Sequence, residues 1–207
     1  MIKRITSVLI ILLVFSCQSA KVKKGDISYR EVKSMDFSDI FYSFNNDQES
    51  SSKAGSNLIK YQNHALDSIL LNESNKYKVK NKISLNKDLT PDFINFLISA
   101  SNNELNSVNL PKIPNSKLLQ ENNTQFLLIP YVQPYLKLEK SYTSRNTILI
   151  REPSYDVKSF ELKIFILDVA KNEISFYGSK EIRLNKGLSY GHSLIYGFDE
   201  IFKEFKK

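Results

Sequence analysis

The chain has 207 residues, of which 42% are hydrophobic and 25% are charged. This balance is typical of a globular protein and excludes a chain that is disordered throughout. The formal net charge is +7, and lysine supplies most of it because arginine is scarce. Bidentate phosphate recognition favours arginine, and the basic residues form no stripe interleaved with aromatics, so we do not expect nucleic-acid binding.

The N-terminal residues have the pattern of an export signal. Lys3 and Arg4 provide positive charge, and residues 8–15 form an unbroken apolar run. The run is shorter than the roughly 20 apolar residues that a transmembrane helix needs, but it has the size of a signal-peptide core. The sequence therefore predicts a cleaved signal over residues 1–16.

Cys17 follows this apolar run directly, after Val14, Phe15 and Ser16. The four residues resemble the lipobox of bacterial lipoproteins, and Phe-Ser-Cys is similar to the lipoprotein signals of the Bacteroidota. A cysteine thiolate is the nucleophile that thioether formation with a diacylglyceryl group requires. Two or more acyl chains give stable anchoring. We therefore predict that Cys17, the sole cysteine of the chain, is lipidated and holds the protein to a membrane.

The residues after Cys17 bear on which membrane is involved. Gln18 stands where some lipoproteins carry an inner-membrane retention aspartate, so the resemblance implies the outer membrane, facing the periplasm. Lys21, Lys23 and Lys24 would either contact anionic head groups or belong to a solvated tether. We expect residues 17–27 to form the lipidated cysteine and tether, and residues 28–207 to form one globular domain.

The first half of this domain shows two helix patterns and one strand pattern. Residues 54–71 place apolar side chains on one face at a spacing of 3.6 residues, which predicts a helix. Residues 77–85 alternate between apolar and lysine side chains, as a half-buried strand does. Thr90 and Pro91 are suited to the cap and first position of the next helix.

The second half is richer in strand patterns. Residues 125–132 predict a strand that ends, or lies at a sheet edge, at Pro130 because proline cannot donate to a ladder. Residues 160–168 and 174–184 predict a hairpin, with Asn172 in a left-handed conformation at its turn. A helix closes the chain. The sequence thus predicts an α/β (α+β) fold, with a mixed sheet of about four to six strands covered by about three helices.

The order of elements from residue 54 to residue 207 resembles a known group of proteins. A Tyr-x-Val strand at Tyr77, a Phe-Leu-Leu-Ile-Pro strand at residues 126–130, and a hairpin bounded by Asp168 and Asn172 are similar to the periplasmic lipoproteins of the curli-secretion and penicillin-binding-protein-activator type. The Thr-Gly pair and the tryptophan usual in that group are absent. The resemblance implies a scaffold or partner of an envelope machine and not an enzyme.

Two sequence features were weighed as reactive sites. Gly191, His192 and Ser193 begin like the nucleophile elbow of a hydrolase, but Ile195 occupies the position that needs glycine, and no histidine follows. His64 and His192 are the only histidines, and they form no metal-binding pattern. We therefore predict no catalytic residue, no metal and no cofactor.

Residues 130–155 are the segment that most favours binding. We interpret it as a long, proline-stiffened loop, in which tyrosines would offer contact surface at low entropic cost, unless they simply pack on the domain. The candidate contact residues are Tyr131, Tyr135, Tyr142 and Tyr155. We predict a non-catalytic binding or scaffold module with an envelope protein as its partner. The alternatives are a small-ligand or lipid carrier and an envelope hydrolase. Ser68, in Asp67-Ser68-Ile69, resembles the O-glycosylation acceptor of exported Bacteroidota proteins.

Overall fold

The computed structural model describes residues 20–24, 27–83, 90–99, 125–145, 148–184 and 189–207. The strands are β1 (Lys21–Lys24), β2 (Met35–Ser38), β3 (Phe41–Tyr42), β4 (Val79–Ile83), β5 (Phe126–Arg145), β6 (Ile148–Asp168) and β7 (Glu173–Arg183). The helices are α1 (Asp47–Ser51), α2 (Lys53–Asn72), α3 (Ser74–Tyr77), α4 (Thr90–Ser99) and α5 (Tyr190–Phe205). Among these helices, none combines the length and apolar character needed to cross a bilayer.

All seven strands belong to one mixed sheet. The strand order is β1-β7-β6-β5-β2-β4, and β3 pairs separately with β5. β1, β7, β6 and β5 are antiparallel neighbours, whereas β2 and β3 run parallel to β5, and β4 runs parallel to β2. The predicted α+β class is confirmed. The structure has more elements than predicted because β1, β3, α1 and α3 are too short to give a periodic signal.

Helices α2 and α5 cover one face of the sheet. α2 is capped at its start by Ser52, whose hydroxyl accepts a hydrogen bond from the Gly55 amide. Its buried stripe includes Leu58, Leu66 and Ile69, which are among the residues that the sequence placed on one face. The stripe of α5 likewise faces the sheet. Between the helices and the sheet lies the larger apolar core, which contains Phe37, Phe160, Phe176, Phe198, Phe202 and Phe205.

The hairpin of β6 and β7 was predicted correctly, including its turn. Asn172 has φ 57°, a left-handed conformation that asparagine tolerates better than most residues. The Asp168 carboxylate accepts a hydrogen bond from the Lys171 amide across the same turn. The turn chemistry therefore sets the register, in which Asp168 pairs with Glu173.

The segment predicted as a long loop over residues 130–155 is instead a β-ribbon, so that prediction was wrong. β5 and β6 pair continuously from Phe126 with Asp168 to Arg145 with Ile148. Pro130 lies inside β5, opposite Ile164. On its other side, β2 pairs no further than Leu128 and β3 begins only at Tyr131. Proline has no amide hydrogen to donate. Because no strand pairs with β5 on this side at Pro130, the missing donor does not deprive a neighbouring strand of a hydrogen bond.

Part of the predicted tether belongs to the sheet. Lys21 pairs with Ser179 and Lys24 pairs with Phe176, so residues 21–24 form an edge strand. Cys17 lies outside the described residues.

Candidate functional site

The face of the sheet opposite α2 and α5 has two halves of different chemistry. Near the turn between β6 and β7 it is apolar, and Leu97 of α4 is buried against it. The sheet residues of this apolar cluster are Leu127, Ile129, Tyr131, Phe165, Leu167, Ile174 and Tyr177. Further along the same strands, in the direction of the ribbon tip, the residues on this face become charged or hydroxylated.

A trough of about 490 Å³ occupies this second half, and we call it the polar trough. Its lining residues are Lys21, Tyr135, Ser159, Glu161, Ser179, Lys180 and Glu181. They come from β1, β5, β6 and β7, so the trough runs across four adjacent strands. Its volume falls within the range of a few hundred to about 1,000 Å³ that is usual for ligand sites.

Lys163 places a positive charge inside the sheet at the border of the two halves. The residue is only 4% exposed. Its Nζ lies 3.4 Å from a carboxylate oxygen of Glu161 and 5.7 Å from the centre of the Tyr131 ring. A buried ammonium is costly unless it is paired, and these two groups supply a counter-charge and a π face. Lys163 thereby fixes the position of Glu161 in the trough.

The trough also brings two carboxylates together. Glu161 and Glu181 pair directly across β6 and β7, an arrangement of like charges that disfavours folding. Glu161 is balanced by Lys163, and Arg183 Nε lies 3.7 Å from Glu181 Oε1. Burial raises the pKa of Tyr135, and the charges of Glu161 and Glu181 raise it further. Lys21 and Lys180 also line the trough, so it presents acidic and basic side chains together and suits a polar ligand that carries both hydrogen-bond donors and acceptors.

The structure separates the four tyrosines that were predicted as contact residues. Tyr135 is 41% exposed and lines the polar trough. Tyr131 is 3% exposed because the two-residue period of β5 turns it into the apolar cluster beneath α4. Its burial does not favour contact with a partner, and that role stays a prediction. Tyr142 pairs with Arg151 in the ribbon, and its side chain lies outside the described part of the structure.

Tyr155 lines a second groove, of about 550 Å³, on the other side of the ribbon base. Its hydroxyl donates a hydrogen bond of 3.3 Å to the side-chain oxygen of Gln48 in α1. The remaining lining residues are Gln48, Ser51, Ser52, Lys53, Ala54, Asn57, Ser154, Asp156 and Tyr190. This groove lacks the opposed carboxylates and the buried lysine of the polar trough, so it is the weaker candidate.

The residues considered as reactive groups have structural roles. Ser193 is 1% exposed, and its hydroxyl donates to the backbone oxygen of Ser189. His192 Nδ1 lies 2.8 Å from the Ser189 hydroxyl, at the cap of α5. His64 is exposed on α2, as the sequence suggested. Within the described residues, no three His, Cys, Asp or Glu side chains converge in a way that could hold a metal ion.

Sequence reasoning did not identify the residues of the polar trough as a site. The alternating pattern of β6 placed Glu161 and Lys163 on the outward side, where a solvated surface is the usual outcome. Two signals in the sequence pointed to a site instead: two glutamates occupy matching positions of the hairpin, and Tyr177 and Ser179 precede Glu181 on the outward face of β7. Ser68 is half-buried and accepts a hydrogen bond from the Asn72 amide, and its glycosylation stays a prediction.

No known protein-family model matches the sequence, and no curated protein matches it. Several solved structures are similar in fold. The PelC dodecamer from Paraburkholderia phytofirmans is 8% identical with a TM-score of 0.44, over 91% of this chain and 96% of that chain. Lipoprotein GNA1162 from Neisseria meningitidis is 9% identical with a TM-score of 0.35, over 83% and 96%. A PDZ domain protein from Parabacteroides distasonis is 7% identical with a TM-score of 0.38, over 93% of this chain but 38% of its own. Likeness at this level does not define a family or a function.

Proposed function

We propose that this protein is a lipoprotein of the cell envelope that binds a partner protein and does not catalyse a reaction. In this proposal Cys17 carries the lipid and holds the domain at the outer membrane, facing the periplasm. The observation that carries the binding role is the polar trough. In it, Glu161 pairs with Glu181 across β6 and β7, and Glu161 also contacts the buried Lys163. Lys163 and Arg183 balance these carboxylates, but both carboxylates stay partly exposed in the trough, where they can accept hydrogen bonds from a partner.

The chemistry of the trough indicates the kind of partner. Side chains of Glu161 and Glu181 are 26% and 40% exposed, so they are accessible but partly desolvated. Tyr135 adds an amphipathic ring, and Ser159 and Ser179 lie among the lining residues. Because Lys21 and Lys180 share this lining, the set suits a polar polypeptide segment that can pair with both signs of charge. It does not favour a lipid carrier, because a carrier needs an apolar cavity for acyl chains.

The absence of catalysis rests on the roles of the nucleophile candidates. The Ser193 hydroxyl is engaged with the first turn of α5, and His192 belongs to the cap of the same helix. Neither side chain is among the lining residues of the polar trough. These contacts support a role for both residues in fixing the start of α5.

Site-specific photo-crosslinking in intact cells tests the binding role. A crosslinking residue replaces Tyr135 in the trough or, as a control, Tyr196, which is 45% exposed on α5. We expect position 135 to form a discrete adduct with an envelope protein, and we expect Glu161→Lys with Glu181→Lys to abolish that adduct. An adduct at position 196 but none at 135, or an adduct insensitive to the glutamate changes, would contradict the proposal.

A further inference from the structure

A row of four residues that starts at the edge strand β1 limits where a membrane can lie. Lys21 of β1 pairs with Ser179, which pairs with Lys163, which pairs with Tyr131, so these residues form one row across the sheet. β1 is antiparallel to β7, and β7 runs toward the ribbon tip. β1 therefore begins, at Lys21, at its end nearer the ribbon tip.

The covalent length of the chain sets the reach of an anchor at Cys17. Lys21 lies four positions after Cys17, and a fully extended chain covers at most about 14 Å over four positions. The opposite end of the sheet lies further away than this. From Ser179 to Glu173 is six residues, or about 20 Å of strand. A lipid on Cys17 therefore cannot hold the domain with that end against the bilayer and the ribbon pointing outward.

The ribbon extends well beyond the reach of the anchor. From Tyr131, in the same row as Lys21, β5 continues for fourteen residues to Arg145, which is about 45 Å of strand. Suppose that the bilayer were perpendicular to the ribbon and within reach of Cys17. About 30 Å of the ribbon would then have to enter the bilayer. Two facts oppose this. Charged residues recur along both strands, and they are costly in hydrocarbon. The outer edges of a two-stranded ribbon also carry backbone groups that lipid cannot satisfy.

We propose that the β5–β6 ribbon lies along the surface of the bilayer when Cys17 is lipidated, in contact with anionic head groups. This inference rests on the lipid anchor of the proposed function. The basic residues of the ribbon are Lys137, Lys140, Arg145, Arg151 and Lys158, and the acidic residues are Glu139, Glu152 and Asp156. The excess of positive charge, together with the lysines of β1, complements an anionic surface. Leu138, which is 53% exposed, offers an apolar contact of the kind found at membrane interfaces.

The sequence contains no tryptophan, so a single introduced tryptophan reports its own surroundings. Leu138→Trp places the probe on the ribbon. Leu71→Trp is the matched control, because Leu71 is 79% exposed in the last turn of α2. That turn lies at the opposite end of the sheet: it precedes β4, whose Val79 pairs with Met35, next to the start of β5.

The experiment uses the full acylated chain, purified from membranes and placed in vesicles of phosphatidylcholine and phosphatidylglycerol that contain a bromolipid quencher. We expect the probe at position 138 to lose about half of its fluorescence and the probe at position 71 to lose almost none. In vesicles of phosphatidylcholine alone, we expect most of the quenching at position 138 to disappear. Equal quenching at the two positions, or stronger quenching at position 71, would overturn the orientation. Quenching independent of the anionic lipid would overturn the role of head-group charge.

Flotation of the same vesicles separates this inference from the proposed function. If both variants float with the vesicles but the probe at position 138 is unquenched, the anchor stands and the orientation is wrong. If the acylated protein does not float, the anchor fails and the orientation fails with it.

Discussion

The two faces of the central sheet are built from the same strands but serve different purposes. On the face beneath α2 and α5, aromatic rings pack tightly: Phe176 and Phe205 have centroids 4.2 Å apart, and Tyr77 and Phe202 have centroids 5.0 Å apart. On the other face, the polar trough exposes two carboxylates and a tyrosine around a buried lysine. The difference predicts that removing a buried side chain from the first face costs more folding free energy than removing a side chain from the polar trough.

The largest effect is expected from removing an aromatic ring of the first face. Phe202→Ala should lower the free energy of unfolding by about 3–5 kcal/mol, because the side chain is 1% exposed and the surrounding rings cannot fill its volume. Urea unfolding followed by circular dichroism measures the change. The matched variant on the second face is Tyr135→Ala, for which we expect a loss of less than about 0.5 kcal/mol. If the two variants lost comparable free energy of unfolding, the expected difference between the two faces would be contradicted.

A smaller effect of opposite sign is expected at Gln62, which is polar yet fully buried in α2. The residue is 0% exposed, and within the described part of the chain neither its amide nitrogen nor its amide oxygen has a hydrogen-bond partner. Gln62→Leu should therefore raise the free energy of unfolding by about 1 kcal/mol. Gln62→Asn is the control, since it keeps the polar group, leaves a void and should destabilise. A loss of stability in the leucine variant would show that the amide contributes to the fold.

The smallest effect concerns Tyr177, on the apolar half of the second face. Burial raises the pKa of its phenol from 10.0 to about 12. Because the folded chain holds this proton more tightly than the unfolded chain does, stability is unaffected below pH 10 and falls as the pH rises from about 10 to about 12. Tyr177→Phe should abolish this contribution, which amounts to about 1 kcal/mol at pH 11. Unfolding at pH 8 and pH 11 tests it, and an identical pH dependence in both proteins would contradict it.

Much of the fold could be predicted because its local signals agree with its tertiary structure. The stripes of α2 and α5 and the left-handed Asn172 turn each depend on residues within one element. The ribbon could not be predicted in this way, because proline normally ends a strand. Pro130 is tolerated inside β5 because β2 and β3 leave a gap beside it, and that gap is a tertiary feature. β1 could not be predicted either, because its four residues are rich in lysine and show no alternation of apolar and polar side chains.

The candidate site was harder to predict than the fold. Tyrosine composition directed attention to residues 130–155, and Tyr135 in this segment lines the trough. The period of β5, however, sends Tyr131 into the core, and only a known register could assign each tyrosine to a face. The burial of Lys163 depends on contacts from Tyr131 and Glu161, which come together through strand pairing and not through sequence proximity alone.

The central claim is that a lipid on Cys17 holds this domain at a membrane, since the orientation of the ribbon follows from it. The most direct measurement is fractionation of cells that express the wild type, Cys17→Ser or the control Ser19→Ala, with a labelled fatty acid supplied. The account predicts that the wild type and Ser19→Ala incorporate the label and sediment with outer membranes. It predicts that Cys17→Ser incorporates no label and is released from that fraction. If Cys17→Ser sediments and is processed as the wild type is, the account is contradicted.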